Sequence, residues 1–361
     1  MKKTIRAFWR ALPLLTCAAA LLIIPDVTTQ AARDGLRLCA QVLVPSLFPF
    51  FVCAKLIVSI RAAEPLERLL APVMRRLFSV SGEGSAAFVL GLVGGYPTGA
   101  QVTKNLYDAR RISAAEARQL VLFCNNAGPA FIFGVVGNGL FGSLKLGALL
   151  CCAHALSAVL TGILLRAPLH PQTPQPSQKD APTPPFAAAF VDSVRQSGAA
   201  VLNVCMFVTL FSVLGGVLQH LTRGLLPDFV YALLCGAIEL TGGVAALGAC
   251  VLPVSLKLAA ASFLLAFSGL SICAQTAAVL SESGLFPRGY LFARLLQGLI
   301  AAALTLLLAA VTRVDEMAVE SAARLSGVSS LSLLFPIWAV CGIICLICRK
   351  MSYGKCARNR I

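Results

Sequence analysis

The chain has 361 residues, of which 58% are hydrophobic and 12% charged, with a net charge of +15 and a mean hydropathy of +0.84. Soluble globular chains are about 45–50% apolar and about a quarter charged, so this composition excludes an ordinary soluble domain and predicts an all-α polytopic membrane protein. The 30 Lys and Arg lie in short clusters between apolar runs. Membrane topology therefore explains the positive charge better than a nucleic-acid partner does.

Several strongly apolar segments are long enough to cross a bilayer. Six continuous segments approach the roughly 20 residues that a transmembrane helix needs; they are residues 7–25, 36–59, 146–165, 199–218, 291–311 and 331–348. Two more, residues 117–142 and 257–280, are long enough but have polar or Gly-rich centres. We therefore expect about eight transmembrane helices, two of them broken.

Two shorter apolar stretches, residues 85–100 and 231–249, turn on glycines. Non-helical backbone at membrane depth is tolerated only where protein or a wet cavity surrounds it, so both stretches are predicted to be re-entrant hairpins. With both termini cytoplasmic, most Lys and Arg fall on the inner side, and the hairpins enter from opposite sides. This arrangement is an inverted-topology repeat, as in many secondary transporters.

The repeat divides the chain into five predicted parts. Residues 1–35 hold an N-terminal transmembrane helix, and residues 166–187, with seven prolines, form a cytoplasmic linker. The linker separates a first repeat, residues 36–165, from a second, residues 188–311, and residues 312–361 hold a C-terminal helix and a basic tail. Within the first repeat, residues 64–78 are amphipathic and basic, which predicts a helix on the inner membrane surface.

The interrupted segments carry the candidate site. Asn125 and Asn126 would each cost roughly 2–7 kcal/mol if buried unpaired in hydrocarbon, and Pro129 removes a backbone donor. Ser268 and Gly269 interrupt the second segment. Broken helices favour a central ion or solute site, whereas close helix packing is the structural alternative.

Two charged residues are candidates for coupling or gating. Glu239 is the acidic residue deep in an apolar stretch, and an intramembrane carboxylate suggests proton uptake or cation binding. Its structural alternative is an ion pair or a hydrogen bond to a hairpin N–H. Lys104 could attract an anion at the inner mouth, or simply be a positive-inside residue.

The motif content argues against an enzyme, a metal site and a cofactor. Most of the 14 cysteines lie in apolar runs, and the single C-x-x-C, at Cys345 and Cys348, has no second pair. The three histidines are scattered, and the chain has neither H-E-x-x-H nor G-x-S-x-G. We therefore expect a protein without catalytic residues, metal or cofactor.

Four blocks together resemble a known family: GGYPTGAQVTKNL (residues 94–106), residues 113–142, GAIELTGG (residues 236–243) and AFSGLSICAQ (residues 266–275). The chain resembles the sporulation integral membrane proteins of the YlbJ type, which carry the Gate, or nucleoside-recognition, domain. Family members usually look like S-G-Y-P-x-G-A and S-N-T-S-G-P. This chain departs from those patterns at four positions, with Gly94, Cys124, Asn126 and Ala127.

The resemblance implies a transporter of dipicolinic acid, the pyridine dicarboxylate of spores, in the outer forespore membrane. Carried over position by position, it implies substrate-binding roles for Gly95, Tyr96, Pro97, Gly99, Asn125, Asn126, Gly128, Pro129, Thr241, Ser268 and Gly269, with Glu239 in coupling. The alternatives are a transporter or channel for a nucleoside or ion, and a non-transporting spore envelope assembly protein. Expected partners are a small anion, the lipid bilayer, and a second copy or an accessory membrane subunit.

Overall fold

The computed structural model describes residues 18–167, 184–222 and 224–312. Within these residues the chain forms helices and no strand, which confirms the all-α prediction for this part. The named helices are α1 (Pro25–Leu38), α2 (Val44–Ser59), α3 (Glu64–Val73), α4 (Gly84–Gly94), α5 (Thr98–Asp108), α6 (Ala114–Cys124), α7 (Ala130–Leu140), α8 (Leu144–Leu164), α9 (Phe186–Thr222), α10 (Asp228–Ile238), α11 (Leu240–Ala249), α12 (Val254–Phe267), α13 (Gly269–Leu280) and α14 (Tyr290–Thr312).

Four helical segments in the described part are long and apolar enough to cross a membrane: Leu144–Leu164, Phe186–Thr222, Val254–Leu280 and Tyr290–Thr312. They match predicted spans 146–165, 199–218, 257–280 and 291–311. The total of eight crossings and the inverted orientation stay predictions. The span 331–348 and most of the span 7–25 lie outside the described residues, as do residues 168–183 of the linker.

Helices α1 and α2 form one continuous helical stretch, joined by the π-helical turn Cys39–Leu43. The boundary predicted between residues 35 and 36 therefore falls inside a helix. Gly35 lies close against α9, since a Cβ on it would stand 2.9 Å from Ser212 Oγ. Gly35 therefore allows close packing against α9 and does not end the helix. Helix α9 itself begins at Phe186, two residues before the predicted second repeat.

Each Gly-rich stretch forms a hairpin of two short helices. Helices α4 and α5 have 11 residues each, and α10 and α11 have 11 and 10. At 1.5 Å per residue, such helices reach about halfway through a hydrocarbon core about 30 Å thick. Their length is compatible with the re-entrant course, which stays a prediction.

Both long interrupted segments are broken where the sequence predicts it. Helix α6 begins with a capping box of Ser113 and Glu116, ends at Cys124, and is separated from α7 by residues 125–129. α7 is π-helical throughout. The second break is shorter, because Ser268 alone separates α12 from α13 and takes a left-handed conformation with φ 72°.

Glycines bring the first hairpin against the first broken helix. A Cβ on either Gly91 or Gly99 would overlap the carbonyl oxygen of Cys124, the last residue of α6. The same contact lies beside an aromatic cluster, in which the rings of Phe78 and Phe123 stack with centroids 4.7 Å apart. The absence of two side chains therefore fixes the hairpin on the end of α6.

We expect Gly91→Ala to lower the free energy of unfolding by about 1–3 kcal/mol, because the added methyl overpacks a buried backbone contact. The matched control is Gly134→Ala on α7, where a Cβ meets nothing within 4 Å. Thermal unfolding of both variants in detergent measures the difference. Equal melting temperatures would show that the hairpin does not depend on this approach.

Candidate functional site

The first hairpin turn lies against the first helix break. Gly95 forms the turn with φ 77°, followed by the cis Tyr96–Pro97 bond. A Cβ on Gly95 would stand 2.9 Å from the backbone nitrogen of Gly128. Two irregular segments of backbone therefore touch at this point, and both must lack a side chain there.

The second half repeats this contact with different chemistry. Glu239 separates α10 from α11, and its carboxylate accepts hydrogen bonds from the backbone N–H of Thr241 (3.0 Å) and Gly242 (2.7 Å). The second hairpin turn lies on the second break, since a Cβ on Gly269 would stand 2.8 Å from the carbonyl oxygen of Gly236. Hairpin turn and helix break thus meet in both halves.

A cavity of about 240 Å³ lies where these elements converge. Its polar lining consists of Tyr96, Glu239, Thr241 and Gln275. The rest of the wall is apolar or glycine. It comes from α1, α2 and the turn between them, from the first hairpin, the first break and α7, and from α9, α11 and α13. These residues are Leu38, Leu43, Leu47, Phe50, Val93, Gly94, Gly95, Ala127, Gly128, Ala130, Phe131, Val135, Val204, Val208, Leu240 and Ile272.

Five of the predicted residues line this cavity: Gly95, Tyr96, Gly128, Glu239 and Thr241. Eight others do not: Pro97, Gly99, Lys104, Asn125, Asn126, Pro129, Ser268 and Gly269. The prediction that all of them contact a solute is untested, but the structure separates cavity walls from their supports.

Asn125 and Asn126 are supports, fully buried behind the cavity wall. Asn125 Nδ2 donates to Thr276 Oγ1 (2.8 Å) and to the Tyr290 hydroxyl (2.9 Å). Asn126 Nδ2 donates to the carbonyl of Phe123 (2.9 Å), and its Oδ1 accepts from Gln297 Nε2 (2.9 Å). The two amides therefore tie the break in the first half to α13 and α14 of the second half.

Arg294 completes this support. Its side chain is fully buried, and Nη1 donates to the carbonyl of Asn125 (2.6 Å) while Nη2 donates to that of Leu122. Its guanidinium carbon lies 5.4 Å from the centroid of the Tyr290 ring. No ion pair with a carboxylate is recorded for it in the described part of the chain. Arg294 therefore neutralises the carbonyl end of α6, which carries the negative end of the helix dipole.

A sequence signal for Arg294 existed. Tyr290, Arg294 and Gln297 recur at helical spacing on one face of α14, and all three are fully buried. A polar stripe of this kind on an apolar span predicts an interior face. His154 on α8 shows a similar pattern with Ser157 and Thr161, which are also buried, and its Nε2 accepts the backbone N–H of Ala127 (3.0 Å) at the same break.

Lys104 lies away from the cavity on α5. Its ammonium group pairs with Asp108 (2.8 Å) and stands 3.9 Å from Glu282. Glu239 has two roles, since it lines the cavity and its carboxylate caps α11. The described residues contain no group of three His, Cys, Asp or Glu side chains placed to hold a metal ion.

We expect Arg294→Leu to destabilise the protein strongly, because the carbonyls of Leu122 and Asn125 would each lose a buried donor at about 1–3 kcal/mol. The control is Arg37→Leu, whose exposed side chain makes only a 3.8 Å pair with Asp34 and should change stability by less than about 1 kcal/mol. Thermal unfolding in detergent compares the two. An Arg294→Leu protein as stable as the Arg37→Leu control would contradict the supporting role.

Comparison with known proteins places the chain in a family. No model of a protein family matches the chain, so the Gate-domain assignment stays a prediction, and no solved structure matches it. A curated relative, the "Sporulation integral membrane protein YlbJ" of Bacillus subtilis (strain 168), is 33% identical over 318 residues, covering 79% of this chain and 78% of the relative. Identity at this level over most of both chains shows common descent. The chain belongs to the family of the sporulation integral membrane protein YlbJ.

Proposed function

We propose that the protein is a membrane transporter that moves a small anionic solute, most specifically dipicolinic acid during sporulation, through the central cavity. The observation that carries this proposal is that both hairpin turns and both broken helices border one cavity of about 240 Å³. Secondary transporters bind substrate at discontinuous helices of this kind. The relative's name supports a membrane protein of sporulating cells.

The N-terminus of α7 is the element best suited to hold a carboxylate. This helix begins at Ala130, no side chain caps it, and Ala130 and Phe131 line the cavity. The positive end of a helix dipole attracts anions, whereas the N–H groups of Phe131 and Ile132 already donate to the carbonyl of Gly128 (3.1 Å each). The N-terminus of α11 differs, because the carboxylate of Glu239 already occupies it. One solute carboxylate would therefore bind at the first break rather than at the second hairpin.

The remaining walls suit a flat aromatic ring. Phe50 and Phe131 line the cavity together with aliphatic side chains, while Thr241 and Gln275 add hydrogen-bonding groups. An apolar pocket with a few placed polar groups is the usual form of a small-molecule site. A pyridine ring would pack against the apolar wall, and Thr241 and Gln275 would orient the carboxylates.

Glu239 gives the cavity a means of coupling. An ionised Glu239 repels the second carboxylate of a dianion, and a proton on Glu239 removes that repulsion. Protonation also weakens its cap on α11, because a neutral carboxyl group accepts hydrogen bonds less strongly than a carboxylate. Proton uptake at Glu239 would therefore link solute binding to movement of the second hairpin.

Alternating access would proceed by movement of the walls around this site. Leu43 and Leu47 on one side and Val204 and Val208 of α9 on the other line the cavity and pack in one apolar cluster. Such contacts are non-directional and can slide. The proposed location is a multi-pass bacterial cell membrane, the outer forespore membrane in a spore former, with both termini cytoplasmic and no enzymatic step.

Two other functions compete with this one. A nucleoside or ion transporter would use the same cavity, and saturating nucleoside would then block dipicolinate uptake. A spore envelope assembly protein would keep the fold and carry no solute. Uptake and competition measurements on one preparation distinguish all three.

We expect saturable dipicolinate uptake into proteoliposomes, detected by terbium luminescence inside, and about tenfold weaker apparent affinity for Thr241→Val and for Gln275→Leu, since each loses a hydrogen bond to a charged group. The control is Thr209→Val on α9, whose hydroxyl donates to the carbonyl of Cys205 outside the cavity. Its uptake should equal that of the parent.

Two results would overturn this assignment. Parent-like uptake by both cavity variants would remove the solute from this cavity. A correctly inserted parent protein without uptake would favour another solute or the assembly role.

We expect a pH gradient to accelerate uptake by the parent protein but not by Glu239→Gln, because glutamine keeps a carbonyl acceptor for the α11 cap and cannot take up a proton. The control is Asp34→Asn on the exposed face of α1, which should keep the response. A Glu239→Gln protein that still responds fully to the gradient would place the coupling proton elsewhere.

A further inference from the structure

A second cleft, of about 360 Å³, lies apart from the central cavity and shares no lining residue with it. It is formed by α3, the turn before α4, and the C-terminal ends of α2 and α5. Five arginines and three glutamates dominate its lining: Arg61, Arg68, Arg75, Arg110, Arg111, Glu64, Glu67 and Glu83. This arginine cleft carries a net positive charge, which the transport mechanism does not use.

Two ion pairs neutralise part of the positive charge of the arginines. Arg68 pairs with Glu64 at 3.1 Å, and Arg111 pairs with Glu67 at 2.5 Å. The second pair is largely buried, and burial raises the pKa of Glu67 above its usual value while Arg111 opposes the shift. Arg111 Nη1 is buried without a hydrogen-bond partner among the described residues. The pairs therefore leave a buried donor of Arg111 facing the cleft, and Arg75 and Arg110 also line it.

The backbone supplies a second, independent observation. Arg61 and Arg110 have φ of 58° and 54°, in the left-handed region that disfavours residues with a Cβ. Each follows the end of a helix, where glycine is the usual residue. Both helix ends are closed by a backbone hydrogen bond across the last turn. The N–H of Ala62 donates to the carbonyl of Ile57, and that of Arg111 donates to the carbonyl of Leu106, both at 2.9 Å. Both strained positions therefore present an arginine to the same cleft.

The position of α3 relates the cleft to the membrane surface. Helix α3 is the amphipathic element predicted to lie on the inner face, and its Leu69 is 51% exposed. Guanidinium groups bind phosphate through paired, charge-assisted hydrogen bonds. An anionic headgroup at the bilayer surface and a soluble phosphate both present this chemistry.

We propose that the arginine cleft is a binding site for a phosphate group, read by Arg75 and Arg110 together with the buried Arg111. The site is independent of the transported solute, so it stands or falls separately from the transport function. Its chemistry requires an oxyanion with at least two acceptor oxygens, and its net positive charge favours an anionic over a zwitterionic headgroup.

The test uses the full-length protein in detergent with three probes: inorganic phosphate by equilibrium binding, and phosphatidylglycerol against phosphatidylcholine by native mass spectrometry. We expect Arg110→Gly to weaken phosphate-group binding about tenfold and to raise the melting temperature, since glycine relieves the left-handed backbone. Ser79→Gly is the matched control, because Ser79 has φ 56° and does not line the cleft. It should gain stability and keep binding.

The outcomes separate the sources. Preferential retention of phosphatidylglycerol that Arg110→Gly and Arg75→Gln each weaken about tenfold supports a lipid headgroup site. Binding of inorganic phosphate that the same variants weaken to this extent, without lipid preference, supports a soluble ligand. A parent protein that binds neither inorganic phosphate nor phosphatidylglycerol in preference to phosphatidylcholine, or variants that bind these ligands as the parent does, would overturn the proposal.

Discussion

The guanidinium of Arg294 is the group on which the arrangement of the site depends. A helix that stops inside an apolar protein leaves carbonyl groups without donors, and each costs free energy unless a partner is found. Arg294 supplies donors to the carbonyls of both Leu122 and Asn125. In the described part of the chain no carboxylate pairs with it, so the negative end of the α6 dipole provides its compensating charge.

Several features follow from the end of α6 at Cys124. Gly128 can lie against Gly95, the N-terminus of α7 faces the cavity, and the two asparagines are turned away to bond Thr276, Tyr290 and Gln297. The polar groups of the break thus divide into supports behind the wall and a few groups in it. A rigid support with a sparsely polar wall is suited to reversible binding, because a solute need not break the supporting network.

The two halves hold their breaks unequally. The first break is held by side chains from α8, α13 and α14, whereas Ser268 Oγ at the second break has no partner among the described residues. The second break relies on its left-handed backbone, on contact with the carbonyls of the second hairpin, and on one side-chain hydrogen bond close by, from the Tyr96 hydroxyl to the carbonyl of Leu265. Rearranging the second half therefore breaks fewer hydrogen bonds, and Glu239 lies at that more easily moved end.

The sequence by itself determined that the chain is a helical membrane protein with two helix breaks and two Gly-rich hairpins. These features follow from local properties, namely the length of the apolar runs, Pro129, Gly269 and the paired glycines. The sequence also singled out Gly95, Tyr96, Gly128, Glu239 and Thr241, which line one cavity. Only the tertiary structure decided that Asn125 and Asn126 are supports, that Arg294 donates to the carbonyls of Leu122 and Asn125, that Lys104 lies outside and that Glu239 caps α11. These assignments depend on contacts between residues far apart in the chain, such as Asn125 with Arg294, which no local spacing encodes.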